Sequence, residues 1–192
     1  MQWSHGRPFA PPGLVDRLRL RRAAIRYAAH GWAVPPGACP QGAVLLATGG
    51  KFDVLEVPAS VGLRALGAAR LHADILGPEL ADGRGPVAVG PTGRWMFFVR
   101  PGVPLRTELD RCLDVVRHGP GSWVPAAPSR LPEGAVRWAV APGAVRWRLP
   151  ESAAVQSVLI EALTALGRRS AQDHAERPVT VPRQMSTTRR AV

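Results

Sequence analysis

Two segments with helical periodicity enclose a central region of short strand-like runs, and this order restricts the fold more than any other feature of the chain. The first segment is Leu14–His30 and the second is Glu151–Leu166, and each is followed by a glycine that can end a helix. The chain contains 20 glycines and 20 prolines, which predicts many turns and few long helices. Its 192 residues can bury one sizeable core. The sequence therefore predicts a single α+β domain with a mixed or antiparallel sheet and flanking helices.

The first predicted helix carries an apolar stripe and a cationic stripe. The apolar stripe, on which an amphipathic helix normally packs, consists of Leu14, Leu18, Ile25 and Ala28. The cationic stripe consists of Arg19, Arg22 and Arg26. These arginines form either a solvated face or a face that contacts phosphates.

The central region is predicted to form strands joined by tight turns. The predicted strand pairs are Ala43–Ala47 with Phe52–Val57, Pro86–Val89 with Trp95–Arg100, and Val136–Val140 with Ala144–Arg148. The other predicted elements are strands at Trp32–Val34, Asp114–Arg117 and Ser122–Pro125, a helix capped by Ser60 and ending near Leu71, and a short helix or turn within Leu105–Leu113. Trp123, Trp138 and Trp147 lie on these strands, where large rings either pack a core or stack on bases.

Outside the predicted domain, residues 14–167, the sequence lacks the periodicity of packed elements. Residues 1–13 include Pro8, Pro11 and Pro12 and are expected to form a flexible N-terminal segment. Residues 168–192 spread arginines among Ser, Thr, Gln and Pro, which predicts a disordered basic tail.

The formal net charge of +11 can attract phosphate backbones or anionic surfaces from a distance. Nucleic acid is therefore the leading partner class. The alternative is that a GC-rich coding sequence produced the charge, because the chain has a single lysine and no asparagine. Cys39 and Cys112 lack the CxxC pairing of a zinc site and are expected to be free thiols in a reducing cytosol. No apolar run approaches the ~20 residues of a membrane span, so we expect a cytoplasmic protein with no membrane partner.

Carboxylates are the first residues to consider for phosphoryl or nucleotidyl transfer, because two or three of them must converge on Mg²⁺. The nearest pair is Asp53 and Glu56, whose spacing puts them on opposite faces of a regular strand, so a shared metal would need a bulge between them. Other catalytic patterns are not found in the sequence. The histidines lack the HExxH spacing of a metalloprotease, and the serines lack the GxSxG elbow of a hydrolase.

Four motifs follow one another along the chain: a Gly-Trp strand, an acidic strand, a Gly-Arg strand, and an acidic strand with a glycine turn. They lie at His30–Pro35, Thr48–Val57, Thr92–Phe98, and Leu113–Arg117 continued by Gly121–Ser129. Within about Leu14 to Pro150, this series resembles the bacterial bifunctional DNA primase/polymerase N-terminal (primase-polymerase) family of the archaeo-eukaryotic primase superfamily. The resemblance implies a domain with an RNA-recognition-motif-like half, and a cleft where the acidic strands meet.

The resemblance also assigns site residues, and several of the family's catalytic positions are replaced. Glu56 falls on the first metal carboxylate and Asp114 on the third acidic position, which implies both as Mg²⁺ ligands, with Asp53 as a further catalytic candidate. The second metal carboxylate falls on Pro58, whose side chain cannot bind a cation, and the phosphate-binding histidine is replaced by Trp95. The chain is thus a shortened and degenerate example of the pattern.

Three functions remain open at this point. The first is a primase-polymerase-like protein that binds nucleic acid, such as single-stranded or primer-template DNA, or a replication protein, without efficient synthesis. The second is a working Mg²⁺-dependent nucleotidyl transferase that uses Glu56, Asp114 and Asp53. The third is a protein-binding module in which Trp95 and Phe97 fill the former cleft. The candidate nucleic-acid-binding residues are Arg19, Arg22, Arg26, Arg94 and Arg117.

Overall fold

The computed structural model describes residues 13–35, 42–76 and 84–175, which form an α+β domain. The helices in this part are α1 Leu14–Ala29, α2 Ala59–Leu76, α3 Thr107–Asp110 and α4 Ser152–Ala175. The strands are β1 Val44–Ala47, β2 Asp53–Val57, β3 Val87–Val89, β4 Trp95–Val99, β5 Val116–His118, β6 Trp123–Ala126, β7 Arg130–Leu131, β8 Gly134–Ala135 and β9 Arg137–Val140. A short 3₁₀ helix at Pro142–Val145 lies between β9 and α4. None of the described helices is long and apolar enough to cross a membrane.

The main sheet has five strands in the order β5-β2-β4-β3-β9, and each neighbouring pair is antiparallel. β1 pairs with β6 in a separate two-stranded sheet, and β7 pairs with β8 in another. The predicted turn between β3 and β4 is confirmed. Gly93 adopts a φ of +79° there, a region that glycine enters at little cost, and the amide of Gly90 donates to the carbonyl of Arg94 at 2.8 Å.

The five-stranded sheet separates two apolar cores. One core lies on the side of α1 and the β1-β6 sheet and includes Val54 and Phe98. The other lies on the side of α2 and α4 and includes Leu55 and Leu159. Successive residues of β2 therefore point into opposite cores, as a strand with a period of two residues requires.

Aromatic rings dominate the core on the α1 side. Trp32 is 1% exposed and stacks on Phe98, with ring centroids 5.1 Å apart. Trp138 and Trp147 pack against the same group, so the core interpretation holds for both. Trp123 differs, because 47% of it is exposed on β6.

The face of α1 that packs on the domain differs from the predicted one. Leu20, Ala23 and Tyr27 are buried, whereas the predicted apolar stripe points to solvent. Tyr27 decides the orientation, because its ring stacks on Trp32 at 5.8 Å and its hydroxyl donates to the carbonyl of Ala127. The large aromatic ring, with a partner for its hydroxyl, contributes more to packing than the aliphatic stripe.

Two predicted hairpins are wrong. β1 and β2 do not pair with each other, because the chain crosses from the small sheet to the main sheet at Thr48–Lys51, where a Cβ on Gly49 would collide with Pro120. The segment Ala144–Arg148 does not form a strand opposite β9. It contains the end of the 3₁₀ helix and left-handed backbone at Arg146, and β9 pairs with β3 instead.

Helix ends and the Gly-Trp strand also need correction. Trp32–Val34 is not a strand, although the carbonyl of Ala33 accepts from the amide of Ala47 at 2.9 Å. α2 begins before Ser60 and continues beyond Leu71. α4 continues through Gly167 to Ala175, so the predicted helix stop is wrong and the first residues of the predicted tail are helical. Residues 1–12 and 176–192, which hold the rest of the two predicted flexible segments, lie outside the described residues.

Candidate functional site

β2 carries both carboxylates of the acidic motif, and it places them on opposite faces of the sheet. Its pairing with β4 runs in continuous register from Asp53 opposite Val99 to Val57 opposite Trp95, without a bulge. Glu56 therefore points to the α1 side and Asp53 to the α4 side. The spacing argument from the sequence is confirmed, and the two carboxylates do not share one centre.

Glu56 is held by two side chains, Arg94 and His118. Arg94 Nε donates to its Oε1 at 2.7 Å, and His118 Nε2 lies 2.8 Å from its Oε2. The hydrogen bond with His118 is the largest cause that holds the pKa of Glu56 below its ordinary value; burial acts in the opposite direction, and Arg94 lowers the pKa further. Both oxygens of this carboxylate are thus engaged by side chains of the protein.

Asp53 is 1% exposed and is held by the neighbouring strand. Arg117 donates to Asp53 Oδ2 from Nη2 at 2.6 Å and from Nε at 3.1 Å, and the amide of Gly102 donates to the same oxygen at 3.1 Å. Within the described part of the chain, Asp53 Oδ1 is buried with no hydrogen-bond partner. A buried carboxylate destabilises the folded protein unless a positive charge lies next to it. Arg117 supplies that charge for Asp53.

Asp114 contributes to the site through its backbone. Its side chain is exposed, and its carbonyl oxygen accepts a hydrogen bond from Arg94 Nη2 at 2.7 Å. Arg94 thus links Glu56 to the segment before β5 through its guanidinium group. Among the described residues, no group of three or more His, Cys, Asp or Glu side chains is placed to hold a metal ion. The implied ligands Glu56 and Asp114 are therefore not joined by Asp53 in one group of three carboxylates.

Trp95 and Pro58, at which the predicted motifs lack a histidine and a carboxylate, have structural roles. Trp95 is 8% exposed and packs on α2, where Gly62 leaves room for its ring because a Cβ there would collide with it. The carbonyl of Pro58 accepts from the amide of Gly62 in the first turn of that helix. Phe97 is also buried in the core on the α4 side. These residues build the domain interior.

The predicted nucleic-acid-binding arginines fall into two groups. Arg19, Arg22 and Arg26 are exposed on α1. Arg94 and Arg117 are instead paired with Glu56 and Asp53. The positive charges of this second group are balanced within the protein.

A second basic region is an open cleft of about 700 Å³, which we call the basic cleft. Its cationic lining residues are Lys51, Arg84, Arg100, Arg146 and Arg148. Arg100 pairs with Glu151, the carboxylate in the lining. The other four cations make no ion pair among the described residues. The cleft therefore has a surplus of positive charge without a partner in the described part of the chain.

One wall of the basic cleft is held in strained backbone. Arg146 and Trp147 have φ values of +50° and +59°, which cost non-glycine residues about 1 kcal/mol or more each. The ring of Trp147 stacks on His30 at 3.6 Å and packs edge-on against Tyr27 and Trp32. These contacts anchor the wall to α1, while Arg146 and Arg148 on either side of the tryptophan are exposed.

The basic cleft could not be found from the sequence, because its cations come from segments that are distant along the chain. Lys51 lies between two predicted strands, and Arg84 lies outside the predicted strands and helices. Arg146 and Arg148 lie on a predicted strand, where they show no pattern. Only the net charge hinted that such a surface exists.

Comparison of the chain with protein-family models, curated proteins and solved structures finds no match. The resemblance to primase-polymerase domains therefore remains a prediction. The evidence on function comes from the contacts and charges of the described residues.

Proposed function

We propose that this protein binds nucleic acid through its phosphate backbone, as a primase-polymerase-like domain that does not carry out metal-dependent synthesis. The observation that carries the proposal is the basic cleft, where Lys51, Arg84, Arg146 and Arg148 lie together, with no carboxylate partner among the residues that the structure describes. A concave surface lined with one sign of charge concentrates the electric field and attracts polyanions. A phosphodiester chain supplies the missing negative charges.

The chemistry of such a cleft favours backbone contacts over base reading. Arginine and lysine side chains neutralise phosphates and release condensed counterions, which gives binding that depends strongly on salt and little on sequence. Arg146 and Arg148 carry planar guanidinium groups that suit phosphate oxygens. We therefore expect the affinity for oligonucleotides of different sequence to be similar at equal length.

The carboxylates argue against a nucleotidyl transferase. Glu56 is engaged by Arg94 and His118, and Asp53 lies on the other side of the sheet with Arg117. Catalysis by two metal-binding carboxylates needs oxygens that converge on one ion. The arginines next to these carboxylates already supply the positive charge that Mg²⁺ would bring.

The test is fluorescence anisotropy of a labelled oligonucleotide, single-stranded and duplex, over a range of salt concentrations. The double variant Arg146→Gln/Arg148→Gln should bind more weakly at low salt, and the plot of log affinity against log salt should flatten by about two units if each arginine contacts one phosphate. The matched control is Arg130→Gln/Arg137→Gln, which removes the same charge from exposed positions outside the cleft.

Two results would contradict the proposal. Absence of wild-type binding at low salt would remove nucleic acid as the partner. An equal effect of both double variants would show that net charge, rather than the basic cleft, attracts the oligonucleotide. In a parallel assay, Mg²⁺-dependent nucleotide incorporation that disappears in Glu56→Ala would replace the proposal with the transferase.

A further inference from the structure

α1 has two apolar faces, and the described residues of the chain bury one of them. Leu20, Ala23 and Tyr27 form the buried face. The opposite face exposes large aliphatic side chains to solvent: Leu14 is 75% exposed, Leu18 46% and Ile25 61%. Val15, 63% exposed, lies beside this face. Several large aliphatic side chains exposed along one short helix exceed the scattered single apolar residues that are normal on a protein surface, and they indicate a site of interaction.

Arginines lie on both sides of this exposed stripe. At about 100° per residue, Leu14, Leu18 and Ile25 fall within about 40° of one another around the helix axis. Arg17 and Arg21 follow on one side, and Arg19, Arg22 and Arg26 on the other, all of them exposed. Asp16 is the acidic residue of the helix. We call this surface, the aliphatic stripe with its flanking arginines, the outer face of α1.

We propose that the outer face of α1 lies on an anionic phospholipid surface, with the helix in the plane of the interface. The aliphatic stripe would enter the boundary between headgroups and acyl chains, as in amphipathic helices that bind membranes. Arginine stems can lie along apolar surface while their guanidinium groups reach the lipid phosphates. A planar anionic surface can contact the arginines on both sides of the aliphatic stripe at once. This matches the arrangement of side chains on the outer face of α1.

Other occupants fit the outer face less well. A nucleic acid would use the arginines but would gain little from three large aliphatic side chains at the centre of the contact. A second copy of the chain would bring its own α1 arginines against these and would be repelled. The inference is independent of the proposed function, because none of these residues lines the basic cleft. It departs from the expectation of no membrane partner, which was drawn from the lack of a spanning segment.

The experiment is sedimentation of the full chain with vesicles of phosphatidylcholine alone, or of an equal mixture of phosphatidylcholine and phosphatidylserine. We expect binding to the mixed vesicles and little to the neutral ones. The triple variant Leu14→Ser/Leu18→Ser/Ile25→Ser should lower the partition coefficient by about thirty-fold or more. Arg19→Gln/Arg22→Gln/Arg26→Gln should lower it by about five-fold per arginine. Leu63→Ser is the control, since Leu63 is as exposed as Ile25, at 61%, but lies on α2.

Each alternative occupant gives a result that would overturn the inference. Lack of preference for the anionic vesicles, or equal binding by the serine variant, excludes the lipid surface. If the arginine variant loses oligonucleotide binding while the wild type does not sediment with vesicles, the occupant is nucleic acid. If the serine variant melts at a much lower temperature in the absence of vesicles, another part of the chain covers the stripe.

Discussion

The arginines of the sheet and the arginines of the basic cleft are the same residue type in opposite electrostatic situations. Arg94 and Arg117 each bind a carboxylate of β2, at 2.7 and 2.6 Å. Arg146 and Arg148 lie in the cleft without an ion pair among the described residues. The first pair connects strands and holds the fold together. The second pair repels its neighbours and is available to an external anion. Net charge therefore does not show which cations can bind an external partner. The positions of the carboxylates show it, because they identify the cations that are already paired within the protein.

The largest effect expected from this comparison is on stability, at the buried pair of Asp53 and Arg117. Asp53→Ala should lower the free energy of unfolding by about 3 kcal/mol, because it leaves the Arg117 guanidinium partly buried without its counter-charge. Denaturant unfolding measures the change. Asp114→Ala is the control and should stay within about 0.5 kcal/mol, since the Asp114 side chain is exposed. Equal decreases in the free energy of unfolding of the two variants would mean that the ion pair between Asp53 and Arg117 does not stabilise the protein.

A smaller and pH-dependent effect is expected at Glu56. The pKa of Glu56 in the folded protein is below its ordinary value of 4.5, so its contribution to stability is present in full above that pH and is lost as the pH falls through the lowered pKa. Glu56→Gln should therefore cost about 1 kcal/mol at neutral pH, where the carboxylate is ionised. The difference between wild type and variant should shrink in acid.

Urea unfolding at neutral pH and at several acidic pH values checks this sign. His118 and Arg94 face Glu56 from β5 and from the turn before β4, and the lowered pKa of Glu56 assigns the shrinking difference to this carboxylate. A difference that grows as the pH falls would show that the pair with His118 and Arg94 does not stabilise the ionised carboxylate.

The sequence predicted the parts of this comparison that depend on local pattern. The period of two residues along β2 predicted that Asp53 and Glu56 point to opposite faces, and the structure agrees. The α+β class and the β3-β4 turn also followed from periodicity and glycine positions. The ion-pair partners could not be predicted, because Arg94 and Arg117 reach the carboxylates through strand pairing at a distance along the chain.

Tertiary contacts determine which face of α1 is buried, because the hydrophobic periodicity of the helix does not. The helix carries aliphatic residues on one face and Tyr27 with Leu20 on another, and either face can be buried as far as hydrophobic spacing is concerned. The ring contact of Tyr27 with Trp32 selects the second face. The sequence contains both rings but gives no sign that they meet.

The smallest effect on stability should come from the basic cleft. Arg148→Gln should change the free energy of unfolding by no more than about 0.5 kcal/mol, because Arg148 is exposed and pairs with no carboxylate among the described residues. Arg117→Gln makes the same chemical change in the sheet and should cost at least about 1.5 kcal/mol, because Asp53 is then left with a neutral partner while 1% exposed. Thermal and denaturant unfolding of the two variants, side by side, measures the contrast. If Arg148→Gln destabilises the protein as much as Arg117→Gln does, the cleft arginines hold the fold in the way that the sheet arginines do, and the separation between structural and binding cations fails.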